Sequence, residues 1–253
     1  MTNIMVAGDW HGAEHHASKM IYQATQHKAN KIVQCGDFGL WDHSFGGVTY
    51  LDVLNEQARK YGVKIYALPG NHENHDHWEW YIAHYPRDKY GFTAIRSHIS
   101  ISPKVHYWTW GEKTLAIAGG AVSIDKEYRL NVERMSNAPR TLWWDQEQLT
   151  DADLPKLVRK AEYLFSHDGP PNFPLGLKPD LESNIHRQRM GVVLDAVRPE
   201  KVFHGHYHMY IEYDYHNIPI IALDRDGTQR NAAILNLETG NHYMIGAQNG
   251  TNL

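Results

Sequence analysis

Residues 4–37, IMVAGDWHGAEHHASKMIYQATQHKANKIVQCGD, hold two short apolar runs separated by an amphipathic segment. The first run ends at Gly8-Asp9, and the second run ends at Gly36-Asp37. Between them, apolar residues recur at helical spacing over 13–27. The side chains predicted on the buried face of that helix are Ala17, Met20, Ile21 and Ala24. A strand, a helix and a second strand of these lengths predict a parallel βαβ unit.

The same alternation continues along the chain. A second amphipathic helix is predicted over 48–61, and a third strand over 63–68 is stopped by Pro69-Gly70. The apolar face of this second helix comprises Val48, Leu51, Leu54 and Ala58. Further along, we predict a helix over 151–160, a strand over 162–166, a helix over 184–197 and a strand over 201–203. This alternation favours an α/β fold with helices on both faces of the sheet.

Other segments follow a different pattern. Residues 99–110 and 113–118 read as paired strands around Gly111, and 119–145 is a loop-rich stretch. Beyond Met209, short strands are expected to extend or pack a second sheet. These strands are predicted over 210–215, 219–223, 232–237 and 242–245. No repeat, low-complexity tract or linker interrupts the chain, so we expect a single domain over 1–253.

Composition restricts the function classes without selecting one. The formal net charge of −4 gives no overall basic surface of the kind that nucleic-acid-binding proteins often carry. Cys35 is the only cysteine, which excludes an internal disulfide bond. No apolar run reaches membrane-spanning length, and Asp9 lies too near the first residue for a signal peptide to precede it. We therefore expect a cytoplasmic protein with no membrane partner.

Polar residues follow five of the apparent strands at the point where each strand ends. Parallel α/β sheets bind their ligands at these carboxyl ends. Taken singly, each segment has a simpler interpretation, such as a turn aspartate, a helix N-cap or a solvated histidine. The five segments are Gly8-Asp9-Trp10-His11-Gly12, Gly36-Asp37, Gly70-Asn71-His72-Glu73, Ser166-His167-Asp168 and Gly205-His206-Tyr207-His208.

Together the segments predict a two-metal site with oxygen and nitrogen ligands. A structural zinc site needs four ligands, often thiolates, whereas here the donors are more numerous and lack sulfur. Two of them are carboxylates, so two dications would leave a charge of about +2, which suits an anionic phosphoryl group. We expect manganese, with iron, zinc or nickel as alternatives. The predicted donors are Asp9, His11, Asp37, Asn71, His167, His206 and His208.

These segments resemble the signature of the calcineurin-like metallophosphoesterase family. The resemblance implies an α/β fold, a four-layer α/β/β/α sandwich of two mixed sheets flanked by helices. It also implies that His72 is the non-ligand histidine that contacts the phosphate and protonates the leaving oxygen. One metal would be held by Asp9, His11, Asp37 and His208, and the second by Asp37, Asn71, His167 and His206, with Asp37 bridging. The stretch 119–125, with Arg129 and Trp143-Trp144, is similar to bacteriophage-encoded members.

The predicted activity is hydrolysis of small or cyclic nucleotide phosphodiesters by attack of a metal-bridging hydroxide. Arg129, in a polar loop, is the candidate for gripping the phosphate bidentately. Glu73 is expected to anchor the helix that follows it. Alternative activities are a nuclease acting on DNA or RNA and a phosphomonoesterase or protein phosphatase. A non-catalytic binding scaffold is the remaining alternative, and the sequence leaves the oligomeric state open.

Overall fold

The computed structural model describes residues 2–41, 47–136, 142–174 and 180–245. The strands in this part of the chain form two mixed sheets. In chain order they are β1 Asn3–Ala7, β2 Lys31–Gln34, β3 Lys64–Ala67, β4 Thr93–Ala94, β5 Ile99–Ile101, β6 Val105–Trp110, β7 Lys113–Ala118, β8 Tyr163–Ser166, β9 Lys201–His204, β10 Ile211–Tyr215, β11 Ile218–Ala222, β12 Ala232–Asn236 and β13 His242–Met244. The α-helices are α1 Glu14–Gln26, α2 Gly47–Tyr61, α3 His75–His84, α4 Lys126–Ser136 and α5 Leu181–Val197.

Each sheet has a parallel centre and antiparallel edges. Among the described residues, the first sheet has the order β13-β12-β1-β2-β3-β5-β4, and the second has the order β10-β11-β9-β8-β7-β6. Strands β1, β2, β3 and β5 run parallel, and β12 pairs with β1 in the antiparallel sense with Asn3 opposite Asn236. In the second sheet, β7, β8, β9 and β11 are parallel. The carboxyl ends of both parallel sets can therefore carry ligand-binding loops.

The two sheets stack face to face, with helices on their outer faces. In β1, Met5 and Ala7 belong to the core shared with α1, α2 and α3, whereas Ile4 and Val6 belong to the core between the sheets. This division follows from the alternation of side chains along a strand. A third core packs α5 against the outer face of the second sheet. The result is the four-layer α/β/β/α arrangement that the sequence resemblance implied.

The predicted helix faces agree with the structure. All four apolar residues predicted for α1 are buried. In α2, Leu51, Leu54 and Ala58 are buried, while the side chain of Val48 lies outside the described part. Helix α5 begins before the predicted position 184, because the Asp180 side chain accepts a hydrogen bond from the Ser183 backbone N–H at 2.9 Å and caps the helix. No described helix combines the length and the apolar character needed to cross a bilayer.

The prediction of one strand over 99–110 was wrong. Strand β5 belongs to the first sheet and pairs with β3, whereas β6 belongs to the second sheet and forms the hairpin with β7. Pro103 lies between them and has no backbone N–H to donate to a ladder. The chain therefore crosses from one sheet to the other at this proline.

Three further predictions were wrong. The helix predicted over 151–160 is a single 3-10 turn at Leu154–Lys156 that contains Pro155. The stretch 119–145 contains helix α4, although its residues 137–141 lie outside the described part. Strands β12 and β13 join the first sheet beside β1, while β10 and β11 extend the second sheet as predicted.

Candidate metal centre

The five polar segments meet where strand ends of the two sheets face each other. Glycines permit this close approach between loops. A Cβ atom on Gly36 would overlap the His167 ring, and one on Gly205 would overlap the Asp9 carboxylate. Loops from the first sheet therefore interlock with loops from the second, and any larger residue at these positions would separate them.

The backbone at several candidate ligands lies in the left-handed region, which non-glycine residues seldom adopt. The φ angles are +44° at His11, +53° at Asp37, +73° at His206 and +51° at His208. Each such residue costs on the order of 1–3 kcal/mol and persists only where its surroundings fix it. Such strain is concentrated at functional sites, and here it directs the side chains into one space.

One group of donors is formed by Asp9, His11, Asp37 and His208, whose ligand atoms all lie within 4.8 Å of one another. His208 Nε2 is 3.2 Å from Asp9 Oδ2, and His11 Nε2 is 3.4 Å from Asp37 Oδ2. Both carboxylates are buried, with exposures of 0% for Asp9 and 1% for Asp37. Because isolated buried charges are costly, these carboxylates need a compensating positive charge.

A second group adjoins the first and shares Asp37. His167 Nε2 lies 3.3 Å from Asp37 Oδ1 and 2.8 Å from Asn71 Oδ1. His206 Nδ1 lies 3.1 Å from the same Asn71 oxygen. The two oxygens of Asp37 thus face the two groups separately. This is the geometry of a carboxylate that can bridge two cations.

The donor chemistry around His167 fits a metal ion. Its Nδ1 is 2.7 Å from the Cys35 carbonyl, so Nδ1 carries a proton and donates it. In the neutral ring, the Nε2 lone pair then points at two acceptor oxygens, those of Asn71 and Asp37. Burial lowers the pKa of His167, but the charge and hydrogen bond of Asp37 and the charge of Asp9 outweigh it and raise the pKa to about 10. The metal-free site therefore favours a proton on Nε2, at the position between the two oxygens where a dication would replace that proton.

The remaining imidazoles differ in their surroundings. Burial lowers the pKa of His206 to about 4, so this ring is neutral near pH 7, as a metal ligand must be. For His11, burial also opposes ionisation, but the hydrogen bond and charge of Asp37 raise its pKa to about 9. His11 Nδ1 lies 2.8 Å from Asp226 Oδ1. The Asp226 backbone N–H donates to the Asp9 carbonyl at 2.8 Å, and this hydrogen bond holds the Asp226 residue beside the site.

His72 and Arg129 are in contact with each other, and the His72 ring lies beside His11, with ring centroids 5.8 Å apart. Arg129 is on α4 and only 8% exposed, so the prediction that it lies in a polar loop was wrong. Its guanidinium donates to Asp125 Oδ2 at 2.8 Å and to the Leu142 carbonyl at 3.1 Å, and its Nη2 is 2.7 Å from His72 Nε2. Burial lowers the pKa of His72; Asp37 opposes this, and the Arg129 charge adds to it.

Glu73 has a different role from the predicted helix anchor. Its carboxylate accepts hydrogen bonds from the backbone N–H groups of Phe38 and Leu40 at 2.5 and 2.8 Å. It therefore fixes the loop that follows Asp37. Burial raises the pKa of Glu73 to about 7, and the nearby Asp37 charge adds to this increase.

Several residues that support the site were not predicted from the sequence to do so. Asp168 accepts hydrogen bonds from His186 Nδ1 at 2.6 Å and from the Tyr207 hydroxyl. The Tyr207 ring stacks on Phe173 with centroids 4.0 Å apart and lies between two predicted ligands in sequence. Asp226 belongs to a loop without a motif, so spacing alone could not identify it. Asp168 was visible only as the residue after His167.

Comparison with solved structures supports the fold. The protein TT1561 of Thermus thermophilus is 12% identical, with a TM-score of 0.53 over 96% of this chain and 98% of that one. A dimetal phosphatase from Danio rerio is 11% identical, with a TM-score of 0.53 over 91% of each chain. At these identities the likeness establishes the architecture alone. No curated protein matches the chain.

The family is established by a separate match. The sequence pattern described as "Calcineurin-like phosphoesterase" matches residues 2–210, which include all five polar segments. Asp226, β12 and β13 lie beyond the matched range. On the basis of this match, the chain belongs to the calcineurin-like phosphoesterase family.

Proposed function

We propose that the protein is a binuclear metal-dependent phosphoesterase whose preferred substrates are small or cyclic nucleotide phosphodiesters. The observation that supports this most directly is the position of Asp37. Its Oδ2 faces His11 of the first donor group, and its Oδ1 faces His167 beside Asn71. A site for one ion would not need a buried carboxylate shared between two donor groups.

The residues of the two groups would hold one divalent ion each. One ion would be held by Asp9, His11, Asp37 and His208, and the other ion by a second set of residues that also includes Asp37. That second set is Asp37, Asn71, His167 and His206. Bound ions of this kind polarise phosphoryl oxygens and lower the pKa of water. Asp9 and Asp37 offset part of the ionic charge, which leaves about +2 to attract an anionic ester.

His72 and Arg129 would act on the phosphate itself. Asp125 and the Leu142 carbonyl hold the guanidinium in place, so that Arg129 can donate to a phosphate oxygen at little entropic cost. The backbone N–H of His72 donates to Asp37 Oδ1 at 2.8 Å, which ties this histidine to the bridging carboxylate. Its imidazole would contact the phosphate and transfer a proton to the leaving oxygen.

The net charge of the chain and an aromatic residue beside His72 support the proposed substrate class. The chain has a formal charge of −4, which disfavours a long polyanion. The half-buried Trp41 donates from its indole N–H to the His72 carbonyl at 2.8 Å, which places it beside this histidine. A flat aromatic face there could stack on a nucleobase. Nuclease and phosphomonoesterase activities are alternatives that the same metal groups would support.

A substrate panel with Mn²⁺ tests the proposal. The substrates are bis-p-nitrophenyl phosphate, p-nitrophenyl phosphate, 2′,3′-cyclic nucleotides and single-stranded oligonucleotides. We expect the diesters to be hydrolysed fastest, and Asp37→Asn to lose at least about 100-fold of that rate because the bridging charge is removed. Asp52→Asn, at an exposed aspartate paired with Arg96, is the matched control. Full activity in Asp37→Asn would disprove the assignment, and fast monoester turnover alone would favour the phosphatase alternative.

Several finer expectations remain predictions. They are manganese as the metal, a cytoplasmic location, a bacteriophage origin and a single domain over 1–253. The pairing of β12 with β1 supports the single domain, because it returns the later part of the chain to the first sheet. Metal analysis of freshly purified protein tests the first of these predictions.

A further inference from the structure

Three buried polar side chains form a chain of hydrogen bonds that ends at Asn71. The exposures are 2% for Asn71, 3% for Ser123 and 1% for Glu147. Asn71 Nδ2 donates to Ser123 Oγ at 3.0 Å, and Ser123 Oγ donates to Glu147 Oε2 at 2.6 Å. Ser123 follows β7, and Glu147 belongs to the 3-10 helix Asp145–Glu147. Three separate segments therefore converge on one amide group.

The direction of these hydrogen bonds is determined by donor and acceptor chemistry. Glu147 Oε1 accepts from the Ser123 backbone N–H at 2.8 Å. As a carboxylate, Glu147 only accepts, so the Ser123 hydroxyl must give its proton to Oε2. The Ser123 lone pairs then face Asn71, and they require the amide NH₂ rather than the amide oxygen.

This polarity fixes which end of the Asn71 amide faces the metal groups. With Nδ2 held by Ser123, Oδ1 points toward His167 and His206, at 2.8 and 3.1 Å from their ring nitrogens. A rotation of the amide by half a turn would place an NH₂ group there instead. An NH₂ group has no lone pair to offer a cation and would repel it.

We propose that Ser123 and Glu147 are positioning residues that lock the Asn71 amide with its oxygen toward the second metal ion. The inference rests on the proposed function, because it requires that ion. Partners of this kind orient a ligand, and their loss commonly costs 10–100-fold in metal affinity. Ser123 contacts the predicted ligand Asn71, and Glu147 contacts Ser123, so both residues would act through Asn71.

Two substitutions separate this role from simple packing. Ser123→Ala removes the acceptor for the Asn71 NH₂ group. Glu147→Gln keeps the shape of the side chain but reverses the direction of its hydrogen bond with Ser123 Oγ. The glutamine carbonyl must accept from the Ser123 backbone N–H, so the glutamine NH₂ group donates to Ser123 Oγ. The hydroxyl is thereby released to donate toward Asn71, which favours the wrong amide orientation. Ser123→Thr keeps the hydroxyl and should retain binding.

The control is Ser100→Ala, which removes a buried hydroxyl that has no hydrogen-bond partner among the described residues. Mn²⁺ binding is measured at pH 8 by isothermal titration calorimetry, with stoichiometry checked by elemental analysis. We expect two ions in the wild type, and one of them bound about 10–100-fold more weakly in both Ser123→Ala and Glu147→Gln. Ser100→Ala and Ser123→Thr should bind both ions as the wild type does.

The outcomes distinguish the inference from the proposed function. If the wild type binds two ions and both test variants bind them equally tightly, the positioning role is wrong and the proposed function stands. If the wild type binds fewer than two ions, the proposed function fails and the inference fails with it. Circular dichroism of each metal-free variant verifies folding, and Glu147→Gln decides the matter if Ser123→Ala does not fold.

Discussion

Glu147→Gln should make the metal-free protein more stable at pH 8, even though we expect it to weaken metal binding. Burial raises the pKa of Glu147 to about 7 from 4.5, and the hydrogen bonds from Ser123 offset only part of this effect. The folded state therefore favours the protonated carboxyl group. Ionisation at higher pH introduces a buried negative charge that the folded protein accommodates poorly. Glutamine has the same shape and never ionises.

The sign and the size of this difference in stability follow from the linkage between protonation of Glu147 and folding. Because the folded pKa exceeds the unfolded pKa, the stability contributed by protonated Glu147 is complete below about pH 4.5 and is lost as pH rises to about 7. A difference of about 2.5 pKa units corresponds to about 3 kcal/mol at pH 8. For a chain of this size, about 3 kcal/mol is a change in Tm of about 6–12 °C.

Urea unfolding of both proteins at pH 5, 6, 7 and 8, with a chelator present, measures this difference. The free energy of unfolding of the variant minus that of the wild type should increase from pH 5 to pH 8. Glu112→Gln, at an exposed position beside Gly111, is the control for the substitution itself. A difference for Glu147→Gln that is constant between pH 5 and pH 8 would refute the reasoning.

Three further predictions concern the metal centre and the phosphate contact. Asp226→Asn removes the carboxylate that faces His11 Nδ1, so Mn²⁺ affinity should fall by about 10–100-fold in calorimetry; unchanged affinity would exclude a supporting role. Gly205→Ala places a Cβ atom against the Asp9 carboxylate and should lower the free energy of unfolding by about 1–3 kcal/mol, as measured by urea unfolding. A urea midpoint equal to that of the wild type would contradict this prediction. Arg129→Lys loses the two-pronged contact and should raise KM for the preferred ester about tenfold in steady-state assays, whereas an unchanged KM would argue against phosphate binding.

Much of the fold could be predicted from the sequence, because local periodicity dictates it. The burial of Ala17 and Ile21 in α1 follows from helical spacing alone. Sheet membership does not follow in the same way. Strand β12 is as apolar as β11, which belongs to the second sheet, and only its pairing with β1 assigns β12 to the first sheet. Pro103 marked the break between β5 and β6, but it did not reveal that the chain changes sheets there.

The candidate ligands could be predicted because their chemistry recurs at strand ends. Asp9 and Asp37 follow apolar runs directly, and this pattern is visible in one dimension. The residues that orient the ligands have no such pattern. Ser123 and Glu147 are far from Asn71 in sequence, and the stretch 119–125 does not indicate that its Ser123 contacts this ligand. Their roles depend on the direction of hydrogen bonds, which only the three-dimensional arrangement reveals.

The antiparallel pairing of β1 with β12 has a consequence for how the protein folds. The strand that presents Asp9 is joined on one side to β2, close in sequence, and on the other to residues more than two hundred positions away. Contacts of such high sequence separation slow folding. Until residues 232–236 leave the ribosome, one edge of β1 is unpaired and open to pairing with another nascent chain. Aggregation during synthesis should therefore be most pronounced for chains that end shortly before Ala232.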